Sequence, residues 1–330
     1  MNKDKTPYKI LQILKDGHCH SGEMLGETLS MTRSAIWKGI QQLQLVYGLD
    51  IQSLSGRGYY IEGGLNLLDR ELISQGVEPA HQKELRIILL EKTHSTNDYL
   101  LTYPNLSSEV PYTLVLAEQQ LQGRGRQGRH WISPYGHNIY FSLAWHCHKD
   151  PAELSGLSLT TAIAVVRALK AFGITHHLYL KWPNDILYNQ DKLGGILLDI
   201  KAESHSTSTV IIGIGINTFL PPLAAKNIDQ PWTSLNDILH KPIDRNHLIS
   251  LLINHVIDML ASFDTLGFPA FLNEWNEYDS LIGQPVIVHQ GDKKIGGVMQ
   301  GITEHGELLV KNAQQQLQTF ISGEVKLRKQ

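Results

Sequence analysis

The run GRGRQGRHW at residues 123–131 follows directly on YTLVLAEQ, an apolar stretch that reads as a buried strand. Gly123, Gly125 and Gly128 alternate with Arg124, Arg126 and Arg129, and no acid lies nearby in the sequence. Such a segment has little to bury and repels itself, so it is expected to be a mobile loop leaving a strand end. Glycines let backbone N–H groups approach a ligand closely, and guanidinium groups neutralise phosphate oxygens. Taken alone, the run fits either an anion-binding flap or a solvated basic loop, RNA-binding included. It is not a Walker loop, because no Gly-Lys-Ser/Thr follows.

Two further runs favour the flap. KWPNDIL at 181–187 sets Lys181 at a strand end before a stiff Trp182-Pro183 turn, with Asp185 just beyond. A cation and a carboxylate so placed suit a metal–nucleotide phosphate, Lys181 for the oxygens and Asp185 towards Mg²⁺. DKLGGILLD at 191–199 starts a strand with Lys192, and Gly194-Gly195 permits close backbone approach. Each alone fits an ordinary hairpin; together they describe a site.

With 330 residues, the chain is too long for one compact core. Thr6-Pro7 opens a helix with Ile10, Leu11 and Leu14 on one face, Ser21 caps a second, and Thr32 caps a third with Ile36, Ile40 and Leu43 inward. Arg33, Ser34, Trp37, Lys38 and Gln41 then face outward, and LDIQSLSGRGYYI supplies a two-stranded wing with Arg57 at its tip. This is the pattern of a winged helix-turn-helix. The alternative is a packing module that binds nothing, since residues 1–64 hold seven basic against six acidic residues. Gly39 inside the third helix costs roughly 1 kcal/mol against Ala.

A hinge at Gly63-Gly64 ends this unit, giving expected domains 1–64, 65–280 and 281–330. The middle alternates strands and helices: strands in LRIILLEK, YTLVLAEQ, NIYFSLAWH, LYLKWP, KLGGILLDIKAE and STVIIGIGINT, with helices after Ser95, over 153–172 and after Asp244. Short links favour a mixed or antiparallel sheet over a doubly wound one. The tail reads as short strands broken by glycines. His146 and His148 are read as a surface pair, because no ligand cluster accompanies them.

The net charge of −3 restricts any polyanion site to a local patch. Cys19 and Cys147 are the only cysteines, too few for a disulfide framework or a cysteine zinc site. The polar start and the lack of any apolar run judged long enough for a bilayer point to a reducing cytoplasm and no membrane.

STN at 95–97, GRGRQGRHW, KWPND, DKLGG and GIGIN at 213–217 resemble, in order and spacing, the pattern of biotin protein ligases. With the winged helix, the whole length resembles the bifunctional bacterial type, the biotin operon repressor. The resemblance implies an α+β multidomain fold. It would comprise an N-terminal winged helix-turn-helix, a central mixed-sheet α/β ligase domain of the class II synthetase-like type and a C-terminal SH3-like β-barrel. It further implies an ATP-dependent ligase that forms biotinyl-5′-AMP and transfers biotin to a lysine of the biotin carboxyl carrier protein, and a repressor of biotin synthesis genes. Biotin, ATP and Mg²⁺ are the implied ligands, with operator DNA and a second copy of the chain as further partners. Ser95, Thr96, Asn97, Gln120, Gly123, Arg124, Gly125, Arg126, Lys192 and Gly195 would bind biotin; Arg126, Arg129, Trp131, Lys181, Asn217 and Trp232 the nucleotide. Arg126, Lys181 and Lys192 would stabilise charge in catalysis, and Arg328 would reach nucleotide or protein substrate. Gln127 and His130 depart from the family's frequent Arg and Lys, which alters loop charge but removes no glycine. A ligand-sensing regulator without catalysis and a lipoate or octanoate ligase remain the alternatives.

Overall fold

The computed structural model describes residues 6–103, 110–204, 207–322 and 325–329. Helices α1 (Thr6–Leu14), α2 (Gly22–Leu29) and α3 (Arg33–Tyr47) precede a wing of β1 (Ile51–Leu54) and β2 (Gly58–Ile61). Ser21 and Thr32 cap α2 and α3, each accepting a backbone N–H three residues on. Ile10, Leu11, Leu14, Ile36, Ile40 and Leu43 are buried in a core of their own. Gly39 has a packing reason: a Cβ there would stand 2.5 Å from Ile10 Cδ1, so the glycine lets α1 and α3 cross closely. That contact offsets the propensity cost expected from sequence.

Two short helices, α4 (Arg70–Gln75) and α5 (Pro79–Glu84), lead into the central region. It continues β3 (Leu85–Thr93), α6 (Thr96–Thr102), β4 (Tyr112–Gln120), β5 (Ile139–Cys147), α7 (Leu157–Ala171), β6 (Leu178–Lys181) and β7 (Asp185–Tyr188). Then come β8 (Asp191–Ser204), β9 (Thr207–Ile216), α8 (Pro222–Ala225), α9 (Leu235–Leu239), α10 (Arg245–Leu266) and α11 (Leu272–Tyr278). The seven strands form one sheet in the order β3-β4-β5-β9-β8-β7-β6. Only β3 and β4 run parallel, so the sheet is mixed, as the short links require. Strand β7 was not expected. Trp182-Pro183-Asn184 turns so tightly, through a cis Trp182-Pro183 bond, that Lys181 pairs directly with Asp185.

Helices α7 and α10 pack together against one face of the sheet and supply much of the largest core, whereas α6 covers the other face, with a smaller cluster of Leu100, Val115, Ala144 and Ile211. By length and composition, Pro151–Ala171 and Arg245–Leu266 could each cross a membrane, which corrects the expectation that no apolar run was long enough. Here most of each apolar window is buried among protein side chains.

The tail forms a five-stranded antiparallel sheet from β10 (Pro285–Gln290), β11 (Lys293–Ile302), β12 (Leu308–Lys311), β13 (Leu317–Phe320) and β14 (Val325–Lys329). Val286, Val288, Met299, Leu308 and Val310 merge with the core of the central region. The Arg328 side chain lies outside the described residues.

The segment that follows the winged helix, residues 66–68, is held to the centre by a polar clamp. The fully buried Arg245 guanidinium donates to Glu118 Oε2 at 2.7 Å, to the Asn138 carbonyl at 2.9 Å and to the Asn66 carbonyl at 2.8 Å. Glu118 Oε1 accepts the Leu68 N–H at 2.6 Å, so both carboxylate oxygens are satisfied. Tyr135 of the centre inserts into the core of the winged helix, edge-on to Tyr47 at 5.4 Å.

Candidate functional site

A cleft of about 420 Å³ opens between β4, β8, β9 and the 123–131 segment. One end is neutral and polar. Ser95 caps α6, which fixes the next two residues at the first turn of that helix. The Thr96 N–H and hydroxyl both donate to Gln120 Oε1, at 2.9 and 3.1 Å, and Gln120 Nε2 donates to Ser133 Oγ at 3.1 Å. The buried Ser142 hydroxyl lies 2.6 Å from Thr96 Oγ1 and 2.5 Å from Asn97 Oδ1. Asn97 Nδ2 donates to Asp199 Oδ2 at 2.8 Å. Ser95, Thr96, Asn97 and Gln120 line the cleft, and their hydrogen bonds hold each in a single orientation.

The 123–131 segment is a small hairpin. Trp131 N–H donates to the Gly123 carbonyl and Gly125 N–H to the Arg129 carbonyl, both at 2.8 Å. Gln127 (φ 56°) and Gly128 (φ 73°) make the left-handed turn. The expectation of self-repelling cations with no acid nearby is corrected, because two carboxylates arrive from other elements. Arg124 bonds Asp98 on α6, and its NH2 group lies 3.0 Å from Asp199 Oδ1 on β8. Burial alone would lower the Arg124 pKa, but hydrogen bonds to Asp199 and Asp98 raise it. Arg126 lines the cleft and donates to the Ser322 carbonyl of the C-terminal sheet. Burial lowers its pKa, with Asp185 partly opposing. Gly125 and Arg129 line the cleft as well; Gly123 supplies the hairpin's closing carbonyl instead. Trp131 lies flat on the sheet, where a Cβ on Gly215 would come within 2.6 Å of its ring.

The other end is cationic. Lys181, Asp185, Lys192 and Gly195 line it, brought together by the β6–β7 turn and the start of β8. Lys192 Nζ pairs with Asp185 Oδ1 at 2.6 Å and stands 5.6 Å from the Trp131 ring centre. Asp185, expected to face Mg²⁺, thus holds a lysine. Among the described residues no group of three His, Cys, Asp or Glu could hold a metal. Asp185, already paired with a lysine, fits Mg²⁺ that arrives on nucleotide phosphates, rather than a resident ion.

Two expected nucleotide residues stand outside the cleft lining. Asn217 is buried, and its Nδ2 reaches the Thr233 carbonyl at 3.2 Å and the Lys192 carbonyl at 3.4 Å. Its amide is spent on backbone, tying the 231–235 segment to β8. Trp232 pairs through its backbone with Lys192, while Asp229, Gln230 and Pro231 line the cleft. Sequence reasoning missed Asp98, Ser133, Ser142 and Asp199. Asp199 carried a signal: it lies four residues past Gly195 on one strand, hence on the same face.

On the winged helix, Arg33, Ser34, Trp37, Lys38 and Arg57 are exposed and Gln41 is half-buried. His146 turns to Thr209, with Nδ1 2.7 Å from its hydroxyl.

Comparison with known proteins agrees with this arrangement. Residues 89–217 match the Biotin/lipoate A/B protein ligase family, 281–328 the Biotin protein ligase C terminal domain and 8–60 an HTH domain. The bifunctional ligase/repressor BirA of Escherichia coli (strain K12) is 35% identical over 327 residues, covering 99% of this chain and 98% of that one. The biotin–[acetyl-CoA-carboxylase] ligase of Paracoccus denitrificans is 32% identical, covering 68% and 93%. A biotin protein ligase from Aquifex aeolicus, solved in complex with biotin and ATP, superposes with a TM-score of 0.63 at 29% identity, covering 74% of this chain and 99% of that one. The chain belongs to the biotin protein ligase family, in its bifunctional ligase/repressor form.

Proposed function

We propose that this chain joins biotin to ATP, transfers the biotinyl group to a lysine of a biotin carboxyl carrier protein, and represses biotin synthesis genes as a DNA-bound dimer. The observation that carries the ligase reading is the single cleft with a neutral, fully hydrogen-bonded end and a cationic end. Ser95, Thr96, Asn97 and Gln120 suit an uncharged ureido ring, and Arg126, Lys181 and Lys192 suit a carboxylate and phosphates. A lipoyl group, lacking a ureido ring, would leave the polar end unpaired.

The biotin carboxylate attacks the α-phosphorus of ATP, a P–O bond breaks and pyrophosphate leaves. Arg126, Lys181 and Lys192 stabilise the charge that builds on the phosphate oxygens. Asp185 holds Lys192 in place and would offer one oxygen to nucleotide-borne Mg²⁺. The hairpin keeps water from the mixed anhydride. The acceptor lysine amine then attacks the acyl carbon and AMP departs; no covalent enzyme intermediate is needed. In this reading Asn217 and Trp232 shape the nucleotide end through the 229–233 segment rather than by direct contact.

The DNA reading rests on the outward Arg33, Ser34, Trp37, Lys38, Gln41 and Arg57, with two copies matching a palindrome. Domains 1–64, 65–280 and 281–330 fit the separate core of the first unit. The free thiols Cys19 and Cys147 fit a cytoplasmic setting.

The test is incubation with labelled biotin, ATP and a carrier domain. Label on a single carrier lysine is expected; ATP–pyrophosphate exchange that ignores biotin would overturn the assignment. Arg126→Gly, which frees the hairpin from the C-terminal sheet, should leak adenylate and label exposed lysines indiscriminately.

A further inference from the structure

Arg124, in the cleft wall, is held by two carboxylates. Its NH1 group bonds Asp98 and lies 3.4 Å from Asp199 Oδ2, and its NH2 group lies 3.0 Å from Asp199 Oδ1. Both terminal nitrogens therefore face carboxylates. Asp199 Oδ2 also accepts Asn97 Nδ2 at 2.8 Å. Asp98 and Asp199 stand behind the cleft wall, whereas Arg124 and Asn97 are part of it.

We propose that Asp199, assisted by Asp98, is a positioning residue that turns Arg124 from an anion ligand into a strut and fixes Asn97 as a hydrogen-bond acceptor for the ligand. This deepens the ligase reading and rests on it.

Three consequences follow from the geometry. With Nδ2 held by Asp199 and Oδ1 beside Ser142, the Asn97 amide cannot flip. Its Oδ1 keeps a lone pair for a ligand N–H, of which a ureido ring has two and a carboxylate none. Next, the two carboxylates behind the wall offset the Arg124 charge, so the Asn97 end offers an anion no net cation. At the far end Arg126, Arg129, Lys181 and Lys192 outnumber Asp185 and Asp229. An anionic substrate with a neutral polar head therefore enters in one direction, its carboxylate towards the lysines. Last, Arg124 lies between Gly123 and Gly125 at the hairpin's root, so the same carboxylates tie the flap to α6 and β8. Asp199 is the stronger member, with a side chain 20% exposed against 43% for Asp98.

The experiment uses the full chain and its Asp199→Asn, Asp199→Glu and Asp98→Asn variants. Biotin-dependent ATP–pyrophosphate exchange is measured with biotin and ATP varied separately, alongside release of labelled biotinyl-5′-AMP and a thermal melt. Asp199→Asn should raise the biotin KM about ten- to a hundredfold, as expected for a lost charge-assisted hydrogen bond. The ATP KM should stay within about twofold, and the adenylate should escape faster. Asp199→Glu should recover part of the biotin KM, and Asp98→Asn should move it about two- to fivefold in the same direction. If Asp199→Asn loses its melting transition, Asp98→Asn carries the same readout. Unchanged biotin KM, or equal rises in both KM values, would overturn the proposal while leaving the ligase reading intact. A wild-type protein with no biotin-dependent exchange would overturn both.

Discussion

The winged helix draws its core, Tyr135 apart, from residues close in sequence, whereas the cleft draws its lining from many separate stretches between Ser95 and Pro231. In the first region, helical spacing of Ile36, Ile40 and Leu43 and the caps at Ser21 and Thr32 already define which side faces inward. In the second, Asp98, Arg124 and Asp199 meet only because the hairpin root, α6 and β8 are brought side by side. The contrast separates two sources of specificity. Local pattern builds a scaffold that presents side chains outward, and long-range sheet pairing builds a pocket that turns them inward. Arg245 and Glu118 hold the segment that links the two.

Four variants probe that contrast. The largest effect is expected at the joint, where Arg245→Met strands the buried Glu118 carboxylate. Loss of about 3–5 kcal/mol is expected in denaturant unfolding, and a loss confined to the winged helix would contradict a clamp seated in the centre. Next, Lys192→Met removes a cleft cation and should slow adenylate formation about 10²–10³-fold. Operator binding by the unliganded variant, read by mobility shift, should match wild type. Gly39→Leu reverses the test. Its side chain would collide with Ile10 and destabilise the winged helix by about 1–3 kcal/mol. DNA binding should fall while biotin-dependent exchange stays within about twofold, and parallel losses would show that the regions are not independent.

The last variant concerns pH. Burial, with help from Arg245, depresses the His137 pKa to about 3. Above the ordinary value of 6.5 the imidazole is neutral in both folded and unfolded chains. As pH falls from 6.5 towards 3, the unfolded chain takes up a proton that the folded one refuses. Stability should then drop by at most about 1.4 kcal/mol per pH unit. His137→Gln should flatten that acid limb in urea titrations from pH 7 to 4, and an unchanged slope would assign the limb to other groups.

Many residues that line the cleft were readable as runs, because glycine, lysine and arginine at fixed spacing have few other uses. GRGRQGRHW, KWPND and DKLGG all contribute to the lining. The β6–β7 hairpin was not readable, since Trp182-Pro183 resembles a strand end until the turn folds Asp185 back onto Lys181. Nor was it readable that Asn217, in the GIGIN run, gives its amide to two backbone carbonyls.

The sequence alone determined the order of the three regions, the helix caps, the outward cations of the winged helix and the basic run at 123–131, because each depends on neighbours within a few turns of chain. Only the tertiary structure decided that Arg124 is neutralised, that Lys192 is held by Asp185, that Trp131 lies on Gly215 and that the C-terminal sheet shares the central core. Those outcomes depend on which strands pair and in what register. Pairing energy is spread along whole strands, so no short run of residues records it.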